Sequence, residues 1–489
     1  MIQKCQLATA LPPQTQLLVC GVYQDQAWEA ALGKLDPTLV KHVREEIKRM
    51  DFTGKAEQQV SVFHESSSLT ILLLGLGKKE EIGNESLLNL GAKASSTAKS
   101  LKLRLGSIGT SDANPTPSML SDMTIGLHLG LYQFDKYKKK DDSLVVDQTW
   151  TLLAKEPAQH KTTLSRSLIM AEAIARARDW VNEPSNILTP ATLAQQACEL
   201  AEAKGLKCKI LGLKEIQKEN MNLFLAVASG STANPPAFIH LQYKPSKKSR
   251  RKVFLVGKGV TFDSGGLSLK PGPSMMTMKM DMGGAAAVIA AIGAIADLKA
   301  DIEVHAIVAA TENMPDGLAC RPGDIVKGRN GSSVEILNTD AEGRLTLGDA
   351  LSYAVDNGAT EIIDLATLTG ACMVALGPHA AALYSDHSEL RQGLLKAAQE
   401  SKEELWHMPL SKGLKKSIKS PVADLKNIGG AYGGSITAAL FLQHFVGEVP
   451  WAHLDIAGPA YSEEEQGYIG KGGRGYGVRT LVEYICPIA

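Results

Sequence analysis

What this chain lacks narrows it quickly. Lys+Arg and Asp+Glu both total 52, so neither sign of charge is in excess. A whole-protein attraction to nucleic acid or to an anionic membrane therefore has no source. No run approaches the roughly 18 uninterrupted apolar residues of a membrane span, and the opening MIQKCQLATALPPQ has no apolar stretch suited to a secretory leader. Seven cysteines (Cys5, Cys20, Cys198, Cys208, Cys320, Cys372, Cys486) are scattered, odd in number and never form CxxC. A disulfide framework is not expected, and a reducing, cytoplasmic setting is. There are no internal repeats, no low-complexity tracts, no GxxxxGK[ST] loop, and no HExxH among the eleven histidines.

What is present is ordinary globular material: 489 residues, 44% hydrophobic and 21% charged. That length suits two domains better than one. Apolar runs at 16–22 and 68–76 read as buried strands, and 87–99 and 119–132 carry helical spacing. A charge-dense break at 136–142 precedes an expected strand at 143–153 and a long helix at 165–181. Pro184 stops that helix. Beyond it, helices are expected at 190–204, 283–297 and 347–355, and strands at 238–242, 253–256, 301–310 and 361–365. The alternation predicts an α/β fold: a mixed, largely parallel sheet flanked by helices in the C-terminal part, with a smaller N-terminal α/β domain. The expected division is 1–165, a linking helix at 166–185, and 186–489. In open sheets of this kind, sites collect at the carboxyl ends of strands.

The basic stretches 244–252 and Lys138–Lys140 lack interleaved aromatics and read as solvated loops. The GKG of Val256-Gly257-Lys258-Gly259 resembles a dinucleotide fingerprint but has Phe262 where the third glycine belongs. More telling are the charged residues set among small and apolar ones: Lys258, Asp263, Lys270 and Asp281. Lys and Asp are rarely buried unless paired or metal-bound. Farther on, Asn338-Thr339-Asp340-Ala341-Glu342-Gly343-Arg344-Leu345 places Asp340, Glu342 and Arg344 on alternate positions. An extended segment there would project all three to one side. Four carboxylates brought together repel one another, and divalent cations relieve that repulsion. A thiolate-free, carboxylate-dominated set suits Zn, Mn or Mg.

The octapeptide NTDAEGRL, with GKGVTFDSGGLSLKP upstream and Lys279–Gly284 between them, resembles the leucyl aminopeptidase family of dinuclear metallopeptidases. The resemblance extends to the stretches at 182–186 and 364–370 and covers roughly 175–489. It implies that Asp263 and Glu342 bridge two divalent ions, that Asp340 completes one site, and that Lys258 and Asp281 complete the other. It further implies that Lys270 supports the developing oxyanion and that Arg344 holds a bicarbonate acting as general base, cradled with backbone groups of Gly343 and Leu368. Met278, Thr367, Gly370 and Ala460 are implied to line the pocket for the N-terminal side chain, with Leu preferred. Peptide substrates and a homohexamer are the implied partners. The alternative is a DNA-binding protein that retains the peptidase fold, against which the neutral charge argues.

Overall fold

The computed structural model describes residues 2–487 other than 25, 32–34, 82, 84, 113 and 140–146. The chain forms two compact units, Met1–Glu172 with Glu464–Gly470, and Ala173–Glu463 with Lys471–Ala489.

The first unit holds strands β1 (Ile2–Ala8), β2 (Leu17–Tyr23), β3 (Gln59–His64), β4 (Leu69–Gly77), β5 (Leu105–Thr110) and β6 (Gln148–Leu153). They lie in the order β1-β6-β5-β2-β4-β3, all parallel but the edge strand β3. Every residue of β2 is buried, with Leu17 and Val19 in one core and Leu18 and Cys20 in another. A strand covered on both faces reads as a continuous apolar run, which is why it is legible in the sequence. The strand expected from 143 is seen from Gln148; residues 140–146, including Lys140, lie outside the described residues.

The second unit contains β7 (Lys207–Leu211), β8 (Ala237–Tyr243), β9 (Lys252–Asp263), β10 (Glu303–Asn313), β11 (Asp324–Lys327), β12 (Ser333–Ile336), β13 (Glu361–Ala366), β14 (Ala381–Tyr384), β15 (Leu405–His407), β16 (Leu425–Lys426) and β17 (Trp451–Asp455). Its main sheet runs β15-β14-β17-β13-β9-β10-β8-β7. The four central strands β17, β13, β9 and β10 are mutually parallel, so their carboxyl ends share one edge. The Gly283–Asp297 helix packs on one face, where an added Cβ at Gly284 would stand 2.0 Å from the Leu365 carbonyl oxygen. Only glycine permits that approach. Although the stretch Gly272–Asp297 is apolar and long enough to resemble a membrane span, 83% of its most apolar window is buried inside the protein. The Gly343–Asp356 helix covers the opposite face, packing Leu345 and Leu347 in one core with Phe254 and Val256 of β9.

The cysteines form no framework, but one pair that the sequence did not single out is linked. Cys198 and Cys208 form a disulfide that ties the Pro190–Ala203 helix to β7. Gly205, at φ +68°, lets the chain reverse after the helix, and the reversal brings residues ten apart face to face.

Candidate metal centre

Strand β9 supplies the first two charged groups. Lys258 and Asp263 are five residues apart, which in a regular strand puts them on opposite faces. The β9–β10 register, however, jumps from Val260↔Thr311 to Phe262↔Glu312, leaving Thr261 as an inserted residue. This bulge restores the two side chains to one side. Its carbonyl is satisfied by the Ser185 hydroxyl at 2.8 Å, which gives the 182–186 stretch a structural task.

Asp340 and Glu342 arrive differently from the sequence expectation. The segment is not extended: β12 ends at Ile336, the Asn338 side chain accepts from the Asp340 N–H at 2.8 Å, and Ala341 N–H closes a turn onto Asn338 O. Glu342 is already helical and leads into the Gly343–Asp356 helix, so Arg344 sits in its first turn. The acids converge because a turn folds them onto the end of β9. One oxygen each from Asp263, Asp340 and Glu342 lie within 4.8 Å of one another.

Two lysines thread the cluster. Lys258, buried, donates to Asp281 Oδ1 at 2.7 Å and to the Thr367 carbonyl at 3.0 Å, and stands 2.7 Å from Glu342 Oε1. Lys270 lies 2.9 Å from Asp263 Oδ2 and 2.5 Å from Asp340 Oδ1. Burial alone would push both amines down; for each, the surrounding carboxylates outweigh it and hold the amine above its ordinary value. Burial pushes the Asp263, Asp281 and Asp340 carboxyls up, most strongly at Asp281. Two cations thus do not fully compensate the acids. Buried Glu342 Oε2 has no hydrogen-bond partner among the described residues. Three converging carboxylates, one of them with a partnerless oxygen, are the donor set a hard divalent cation takes, so these residues fit a metal centre.

Gly343 contacts this cluster through its missing side chain: an added Cβ would fall 2.5 Å from Lys258 Cε. Arg344 is buried, donates to Asn427 O at 2.8 Å and leaves Nε without a partner; burial pulls its guanidinium down to about 10. An orphaned buried N–H of a cation fits an anion. The Leu368 N–H donates to Asp455 Oδ1 at 3.2 Å. Of the pocket residues, Thr367 and Ala460 share a small wall with Ile456 around Gly283, although the Thr367 hydroxyl donates to Asp281 Oδ1 at 2.7 Å. Met278 opens a short 3-10 turn ahead of Asp281, and Gly370 begins the Gly370–Leu376 helix.

Residues the sequence did not single out complete the frame. Asn313, in register with Asp263 at the end of β10, donates to Asp263 Oδ1 at 2.8 Å and to Thr339 O at 3.0 Å. Asn427 holds Leu337, Asn338 and Ala341 of the turn. Asn313 ends an apolar strand with a polar residue, a visible signal; Asn427 stands 83 residues from Arg344 and carried none.

A cluster of this composition at the carboxyl edge of an open sheet defines an α/β protein built to hold divalent cations. Comparison with known proteins gives the particular family. The model for the cytosol aminopeptidase family, catalytic domain, matches residues 175–482, and that for the family's N-terminal domain matches 19–141. The likeness therefore extends into the N-terminal third, where the sequence offered only size and α/β character. A probable cytosol aminopeptidase of Aquifex aeolicus is 46% identical over 453 residues, covering 90% of this chain and 89% of its own. One from Cyanothece sp. is 43% identical, covering 96% of each. A tomato leucine aminopeptidase mutant superposes with a TM-score of 0.89 at 37% identity, over 99% of this chain and 96% of that one. The bottromycin maturation enzyme BotP in complex with Mn gives 0.85 at 34%, over 96% and 99%. This chain belongs to the cytosol aminopeptidase family, a family of metal-dependent peptidases, and is an aminopeptidase.

Proposed function

We propose that the protein is a two-metal leucyl aminopeptidase of the cytoplasm, releasing N-terminal residues, Leu and other apolar ones preferentially, from peptides. The observation that supports it best is the convergence of Asp263, Asp340 and Glu342 beside the Lys258–Asp281 pair. Asp263 and Glu342 would be shared between two divalent ions, Mn or Zn with Mg as the third candidate. Asp340 would complete one site, Lys258 and Asp281 the other. When bound, such a pair supplies an acidified water and a polarised scissile carbonyl.

The chain's own groups do the rest. Lys258, held protonated by the surrounding acids on their own, would lend a lone pair only as the neutral amine, its proton released to solvent as the dication's charge replaces it; the Thr367 carbonyl and Asp281 aim that amine. Lys270 keeps its proton among acids and offers a cation to an oxyanion forming beside Asp263 and Asp340. Arg344, with Nε free inside the protein, would hold a bicarbonate as proton acceptor, with Gly343 alongside. Thr367 and Ala460, with Met278 and Gly370, would form the apolar recess for the N-terminal side chain. A homohexamer is the proposed assembly. DNA binding has no observation in its favour.

The test is hydrolysis of a leucine anilide before and after chelation, then add-back of Mn, Zn or Mg. Activity should vanish with the metal and return with at least one of the three. Full activity in metal-free protein would sink the two-metal reading, and equal turnover of Asp and Leu anilides would sink the apolar preference.

A further inference from the structure

The loop between β13 and the Gly370–Leu376 helix joins two buried groups. On one side, Thr367 accepts from Lys258 Nζ through its carbonyl and donates to Asp281 Oδ1 through its hydroxyl. On the other side, the next two residues are held by Asp455, at the end of β17 and in register with Ala366. Asp455 Oδ1 accepts from the N–H groups of Leu368 (3.2 Å), Thr369 (3.4 Å) and Ala457 (3.2 Å). Its Oδ2 accepts from the Thr369 hydroxyl at 2.6 Å. Asp455 is fully buried.

A buried carboxylate is costly unless its lone pairs are matched; three donors from the Leu368–Thr369 loop and the N–H of Ala457 on its own segment match them. The three bonds to Leu368 and Thr369 hold residues 367–369 in one arrangement. Thr367 therefore presents its carbonyl and hydroxyl to Lys258 and Asp281 in a fixed place. Among the described residues nothing comparable ties this loop to Asp263 or Asp340, which Asn313, Gly265 and Lys270 hold instead.

We propose that Asp455 is a positioning residue that sets the Lys258–Asp281 half of the metal centre through the Thr367–Thr369 loop. The proposal rests on the two-metal reading above. It makes the two halves of the centre separable: loosening Asp455 weakens one ion site and spares the other.

The experiment titrates the full chain with Mn, counting sites and affinities by calorimetry and by Mn electron paramagnetic resonance. Wild type should take two ions. Asp455→Asn, and Thr369→Val as a smaller lesion that keeps the side chain's shape, should each retain one site at wild-type affinity. The other site should weaken about 10- to 100-fold, the usual cost of losing an outer-shell partner. Thr369→Ser, which keeps the hydroxyl, should restore wild-type binding. Two unchanged sites in folded Asp455→Asn would overturn the proposal, as would equal weakening of both. If Asp455→Asn does not fold, Thr369→Val decides by the same criteria. A wild type that binds no Mn, Zn or Mg would instead refute the two-metal reading.

Discussion

At the scale of single residues, the centre depends on space as much as on charge. Gly343 lies where a methyl would meet Lys258 Cε, Cδ and Nζ at 2.5 to 2.8 Å. Replacing it by Ala must push the lysine off Asp281 and Glu342. Overpacking of this kind costs about 1–3 kcal/mol in stability, while a misplaced functional group costs on the order of 100-fold in rate. Gly343→Ala should therefore melt only modestly lower yet lose at least that much kcat/KM; wild-type turnover would show that Lys258 need not hold its present position. His453 carries a second residue-scale prediction. It is fully buried, with Asp364 Oδ1 at 2.6 Å, Asp455 on its own strand, Arg344 from the covering helix and Tyr384 stacked on it from β14. Burial pulls its imidazole down, but Asp364 and Asp455 outweigh burial and Arg344 and hold it above its ordinary 6.5. The folded state thus binds the proton more tightly than the unfolded chain. This stabilisation is complete below about 6.5 and is lost as pH rises through the higher folded value. Melting temperatures between about pH 6 and 9 should fall in wild type and fall less in Asp364→Asn; parallel curves would assign the slope to another group.

At the scale of elements, the sequence showed where strands and helices lie but not how they are joined. Gly283–Asp297 was read to its ends because its alanine-rich run is sharply bounded. The helix expected at 347–355 begins at Gly343, because Asp340, Glu342 and Arg344 on alternate positions imitate an extended segment. The β9 bulge was invisible, since an inserted residue changes no residue type, only the register. The Cys198–Cys208 link was missed because cysteine count and spacing speak to frameworks, not to one pair closed by a glycine turn. Reducing it should lower unfolding free energy by about 3 kcal/mol, as expected for a loop of this size. Denaturant titrations with and without reductant measure that difference, and coincident midpoints would show that the bond contributes nothing to stability.

At the scale of the whole molecule, zero net charge leaves local chemistry to do the work, and that chemistry sits at one sheet edge. The proposed hexamer makes a direct prediction: native mass spectrometry should show a species of about six times the 52.2 kDa chain. A monomer active at every dilution would remove assembly from the account.

By itself the sequence determined the residue types. Two lysines, four acids and an arginine set among glycines and small apolar residues announced a carboxylate-rich metal site, because such groups are not buried without a reason. It also determined the alternation of strand and helix, since apolar periodicity is local. Only the tertiary structure decided which groups meet. A register shift puts Lys258 beside Asp263, a turn carries Glu342 to both, and Asp455 holds the loop after Thr367 from a strand more than a hundred residues further on. Hydrogen bonds across strand ends are fixed by pairing and register, and these are properties of the folded sheet rather than of any local stretch of chain.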